Sequence, residues 1–131
     1  MGLFPPLCVL LSLALSAPPD DAALRESARQ FEQQLREQIM PYWFDHAQDR
    51  QHGGYALEAG SKQLVGQTRM VWGFSQAHRQ GLSSPECDYL QAARQGYEFL
   101  QRHFLDPEHG GYYWMTDDVG VATNRHKMIY G

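Results

Sequence analysis

Six histidines and a set of carboxylates in turns are the residues whose chemistry could reach beyond packing. His46, His52, His78, His103, His109 and His126 could each act as a general acid or base near neutral pH, provided a second group is held within hydrogen-bond reach. His52 and His109 fall in Gly-Gly turns, where hydrogen bonding to the loop is the expected role. The other four read as surface or helix-end residues. Asp45, Asp49, Asp106, Glu108, Asp117 and Asp118 are the residue types that glycoside hydrolysis uses in pairs, yet all lie on turns or hairpins and none forms an evident acid/base pair. Cys87 has no activating neighbour and reads as a small buried residue. The other cysteine, Cys8, lies near the N-terminus, so there is no disulfide framework. Aromatic residues, 12% of the chain, suit either a packed helical core or a sugar-binding surface.

Helices must position these groups. Leu24, Ala28, Phe31, Leu35, Ile39 and Tyr42 recur at three- and four-residue steps, with Asp20 or Asp21 available as a cap. Pro41 should kink or end that helix. A second helix is expected over Leu64 to Gln80, with Met70, Phe74 and Ala77 on one face and Gly81 as its stop. A third opens at Ser84-Pro85-Glu86, a capping serine before a first-turn proline, and runs through Leu90, Ala93, Tyr97, Leu100 and Phe104. A fourth is expected to start near Arg125.

Between the helices the chain repeats itself. Asp49-Arg50-Gln51-His52-Gly53-Gly54-Tyr55 and Asp106-Pro107-Glu108-His109-Gly110-Gly111-Tyr112 both read D-x-x-H-G-G-Y, 57 residues apart. Each follows the aromatic end of a helix and precedes a short strand-like stretch with a turn. A period of this length marks one supersecondary unit copied along the chain: helix, Gly-Gly turn, short hairpin, helix. The paired glycines permit the positive backbone dihedrals that reverse a chain sharply off a helix. Such units bury their apolar faces only against neighbours. Two of them, the second incomplete, are expected to leave an open edge, so the 131 residues should not form a finished domain or act alone.

The net charge is −4, with both signs interspersed, which argues against a nucleic-acid partner. Leu7 to Leu15 is apolar but too short to span a bilayer. Ala14-Leu15-Ser16 then resembles a signal-peptidase site, so residues 1–17 are read as a signal peptide and 18–131 as the N-terminal part of a larger domain. Export to the periplasm or medium follows if that reading holds, and a cytoplasmic protein if it does not.

The series Trp43-Phe44-Asp45, His52-Gly53-Gly54-Tyr55, Gln67-Thr68-Arg69-Met70-Val71-Trp72, Tyr89-Leu90, Asp106-x-x-His109-Gly110-Gly111-Tyr112-Tyr113-Trp114 and Lys127-x-x-Tyr130-Gly131 resembles the N-acylglucosamine 2-epimerase family. That family includes the cellobiose 2-epimerases and related mannose isomerases, and the similarity runs from about residue 28 onward. The resemblance implies an all-α fold, an (α/α)6 toroid with short β-hairpins between helices, of which this chain holds the first two or so helix pairs.

It also implies a chemistry. Epimerisation beside a sugar aldehyde removes the C2 proton and returns it to the opposite face through an enediolate. It requires bases near both faces and a donor for the developing oxyanion, with no metal or redox cofactor. The family's two acid/base histidines come from later helices, and none of the six here matches them. Arg69 matches the arginine of the family's QxRxVW stretch and is the expected catalytic residue, its guanidinium facing a cavity. Tyr130 matches a pocket tyrosine. Trp72, three residues after Arg69, is either a sugar-stacking wall or a core residue, and Lys127 has no firm role. Glu58 stands where many relatives carry Asp. The implied partners are a small sugar and a second copy of the chain, with neither nucleic acid nor membrane. An aldose–ketose isomerase, a glycoside hydrolase on the same architecture and a non-catalytic carbohydrate-binding toroid are the alternatives.

Overall fold

Asp20 opens the first helix by accepting a hydrogen bond from the Ala23 backbone N–H at 2.6 Å, an N-cap that satisfies an otherwise orphaned donor. The computed structural model describes residues 20–129. The suggested signal peptide and Tyr130 lie outside the described residues. Helix α1 spans Asp21–Gln34 and passes through a π-helical segment, Leu35–Ile39, into α2, Met40–His46. Pro41 therefore does not end the helix. Its missing N–H falls in the first turn of α2, directly after the wide turn in which the Met40 N–H reaches the Leu35 carbonyl. A proline is tolerated where that hydrogen bond is already displaced.

Helix α3, Leu64–Arg79, follows the expected boundaries, and Gly81 stops it at φ 69°. Helix α4, Tyr89–Phe99, starts later than Ser84-Pro85-Glu86 suggests. Ser84 instead closes a separate turn, its Oγ accepting from the Cys87 N–H (3.1 Å), while Asp88 caps α4 through the Gln91 N–H (2.9 Å). A second π-helical segment, Leu100–Phe104, completes this rod. No helix forms near Arg125 within the described residues. Strands β1 (Lys62–Gln63), β2 (Met115–Thr116) and β3 (Ala122–Asn124) make a small antiparallel sheet in the order β1-β2-β3, with a bulge between Met115 and Thr116. The molecule is thus helical with one small sheet between its loops.

The core lies between α3 and α4. Phe74 and Ala77 of α3 pack on Tyr89, Ala92 and Ala93 of α4, with Tyr55 and Ala47 from the first loop and Phe44 from α2. A second cluster joins Leu64, Phe99, Leu100 and Phe104, and Val71 touches both. Cys87 is half-buried and unpaired at the edge of the first cluster. The apolar stripe of α1 behaves otherwise. No residue of α1 is buried, and Phe31 is 66% exposed. Tyr97, expected on the inward face of α4, is also exposed. Among the described residues these apolar positions are left exposed. Among the described residues no helix is long and apolar enough to cross a membrane.

Candidate functional site

The two D-x-x-H-G-G-Y turns adopt one geometry. Asp49 Oδ1 accepts from the N–H groups of Gln51 (3.0 Å) and His52 (2.9 Å). Asp106 Oδ1 accepts from those of Glu108 (3.0 Å) and His109 (3.1 Å). Each aspartate N–H donates to the second glycine's carbonyl, Gly54 or Gly111, and each aspartate carbonyl accepts from the first glycine. All four glycines have positive φ. At Gly54 there is a further reason, since a Cβ there would stand 2.7 Å from the Phe99 ring and 2.8 Å from Gln67 Oε1.

Sequence reasoning missed the lysines that complete these turns. Lys62 Nζ donates to Asp49 Oδ2 (2.7 Å), to the Gly53 carbonyl (2.8 Å) and to the Asp118 carbonyl (2.6 Å). Lys127, which had no assigned role, donates to Asp106 Oδ2 (2.7 Å) and the Gly110 carbonyl (2.5 Å). Burial works against the charge on Asp49, but the Lys62 ammonium and the two N–H groups outweigh it and bring the carboxyl down to about 2. The Lys127 hydrogen bond, helped by the His109 and Glu108 N–H groups, likewise holds Asp106 well below the usual carboxylate range.

Both carboxylates are thereby fixed as anions, which disqualifies them as general acids near neutral pH. The Asp117 carboxylate is also engaged, accepting from the Val119 (3.1 Å) and Val121 (2.8 Å) N–H groups. The histidines fare similarly. His46 donates to the Tyr42 carbonyl (2.8 Å) and stacks on its ring, and His78 meets Ser83 (3.2 Å). His52 and His109 lie against their own aspartates at 3.4 and 3.5 Å. His103 is more than a surface residue. It is half-buried on Phe99, its Nδ1–H directed at the Gly120 carbonyl (3.2 Å).

Arg69 and Trp72 share one exposed face of α3, three residues apart. They line a groove of about 420 Å³ with Ile39, Met40 and Trp43 from the first helical rod and Met70, Gly73 and Phe74 from α3. Trp72 is 67% exposed among the described residues. Arg69, like most of the arginines, has no carboxylate partner among the described residues; only Arg29 and Arg36 there are paired, each with a glutamate of its own helical rod. A free guanidinium beside two indoles can take an oxyanion or a sugar hydroxyl and offer a ring face to a pyranose. Gln67, which flanks this pair in sequence, points the other way and is buried. Among the described residues no three His, Cys, Asp or Glu side chains gather as a metal site would require.

Residues 46–131 match the N-acylglucosamine 2-epimerase (GlcNAc 2-epimerase) family. The chain belongs to that family. A cellobiose 2-epimerase from Dictyoglomus turgidum is 34% identical over 106 residues, covering 74% of this chain and 26% of that protein. One from Bacteroides fragilis is 30% identical over 111 residues, covering 78% and 28%. The solved structure of the cellobiose 2-epimerase from Spirochaeta thermophila superposes with a TM-score of 0.73 at 32% identity, over 84% of this chain and 28% of that one. The chain thus spans about a quarter of the length of these curated relatives. The matched residues include both Gly-Gly turns and the whole of α3 and α4.

Proposed function

We propose that the full-length protein bearing this chain is a sugar epimerase that inverts C2 of an aldose by proton transfer through an enediolate, within an (α/α)6 toroid whose first helix pairs are those described above. The observation that supports it most is the exposed Arg69 lining a tryptophan-edged groove in a chain of the epimerase family. After the ring opens, a base takes the C2 proton. Charge builds on O1 and O2, and a base on the other face returns a proton to C2.

Arg69 supplies the fixed positive donor for the developing oxyanion. Such a donor is worth most where it needs no rearrangement when charge appears. Trp72 forms a wall for the sugar ring, and Tyr130 a hydroxyl contact. The acid/base histidines are contributed by chain outside these residues, since five of the six here are exposed or held by their own loop or helix and His103 is engaged with Phe99 and the Gly120 carbonyl. Asp49 and Asp106, held as anions in the Gly-Gly turns, do not offer the protonated acid that a glycosidase needs.

The test is C2 proton exchange in heavy water by the full-length protein, with cellobiose as the first substrate because the relatives carry that name. Mannose and an N-acylglucosamine follow. Solvent deuterium at C2 together with the C2 epimer is the expected result. A ketose product would make it an isomerase, cleavage without exchange a hydrolase, and neither reaction a binding protein.

A further inference from the structure

The lysine that ties the first Gly-Gly turn does something its counterpart in the second turn does not. The Lys62 side chain is 0% exposed, a costly place for an ammonium unless every proton is taken. All three are, by Asp49, Gly53 and Asp118, and the ammonium also lies 4.5 Å from the centre of the Phe99 ring. Two of these oxygens belong to the first loop, and the third, on Asp118, belongs to the second. Lys127, 37% exposed, takes oxygens from its own turn alone among the described residues.

Lys62 stands two residues before α3 and seven before Arg69. The start of α3 has no side-chain cap, as Gln63 makes none. Its position is instead set by the Lys62 knot, by the Leu64 N–H bonded to the Trp114 carbonyl (3.0 Å) and by Gln67 hydrogen-bonded to Tyr55. Arg69 follows Gln67 by half a turn.

We propose that Lys62 is a positioning residue for Arg69, pinning the N-terminus of α3 to both loops so that the guanidinium is held in register with the sugar. The proposal rests on the epimerase reading above. A helix whose start is loosened carries every side chain on its first turns with it. Displacement of about 1 Å of a group that must meet a transition state costs on the order of 100-fold in rate.

The experiment is a double-mutant cycle in the full-length enzyme, read as kcat and KM for C2 exchange, with Lys62→Met, Arg69→Ala and the pair. The expected result is a fall in kcat of about 10- to 100-fold for Lys62→Met with KM little changed, and no further loss when it is added to Arg69→Ala. Asp49→Asn, which keeps the turn's acceptor but removes the charge facing Lys62, repeats the cycle with a smaller loss if the methionine variant does not fold. Equal losses in the wild-type and Arg69→Ala backgrounds overturn the proposal. If Arg69→Ala alone turns over normally, it is the reading of Arg69 that fails.

Discussion

The Gln67 side chain brackets the backbone of Tyr55, its Oε1 accepting from the Tyr55 N–H at 2.8 Å and its Nε2 donating to the Tyr55 carbonyl at 2.7 Å. A side-chain amide here does the work of a neighbouring β-strand for one residue. It also joins α3 to the first Gly-Gly turn. Because Gln67 and Tyr55 are both buried, Gln67→Leu leaves a donor and an acceptor without partners. The expected cost is about 2–4 kcal/mol, read as a fall in the midpoint of denaturant unfolding of the full-length protein. Gln67→Glu should lose stability at neutral pH, where its carboxylate faces the Tyr55 carbonyl, and recover as the carboxyl gains a proton. Its folded pKa is raised, so the recovered stability is present in acid and disappears as pH climbs through that value. A leucine variant of native stability would show that this bracket carries no weight.

Tyr55 imposes a second constraint. Its ring occupies the place where Gly96 would carry a side chain, and its hydroxyl donates to the Ala92 carbonyl at 2.9 Å. Gly96→Ala should therefore destabilise by about 1–3 kcal/mol despite alanine's better helix propensity. Gly81→Ala meets open space and suffers only from its positive φ, so it is the milder change. Thermal unfolding of both variants side by side checks this ordering, and the reverse order would refute it.

Much of this was legible from the residues. The duplicated turn, the bounds of α3 and the Gly81 stop follow from local rules with no competitor. The lysines escaped because they do not share the repeat's spacing: Lys62 follows its aspartate by 13 residues and Lys127 by 21. The second hairpin is longer, so two positions equivalent in space have no common offset in sequence. The start of α4 was misread because Ser84 and Asp88 are both good caps. Ser84 lost once it bonded with Cys87 in both backbone directions at 3.2 Å, leaving Asp88 to begin the helix. Burial along α1 could not be read from its own periodicity, since an apolar stripe states that a partner is needed without supplying it.

Trp72 and Phe74 lie two residues apart in one helix and differ sharply in burial. Phe74 is 0% exposed, and Phe74→Ala should cost about 3–5 kcal/mol. Trp72→Ala should change stability of the described fold by roughly 0.5 kcal/mol or less, while raising KM for the sugar several-fold. Steady-state C2 exchange with an unfolding curve on the same preparation measures both. A Trp72→Ala protein that unfolds early yet binds sugar normally would return the indole to a packing role against a neighbouring helix.

Acid should attack the two turns together. Asp49, at about 2, and Asp106, well below its usual range, are both depressed relative to an unfolded carboxyl near 3.9. A group depressed on folding contributes stability that is complete above its unfolded value and is lost as pH falls toward the folded one. The contribution of these pairs should be flat at neutral pH, begin to fail below about pH 4 and, for Asp49, be gone near pH 2. In Lys62→Met the burial that already opposes the Asp49 charge no longer meets an ammonium, so its carboxyl should titrate at higher pH and the acid-driven loss of stability due to Asp49 should shrink as the folded value approaches the unfolded one. Carbon-detected NMR of the aspartate carboxyl groups, alongside melting temperatures between pH 6 and pH 2, follows both effects. An Asp49 that titrates at the ordinary carboxylate value in the wild-type protein would mean that Lys62 is not bound to it in solution.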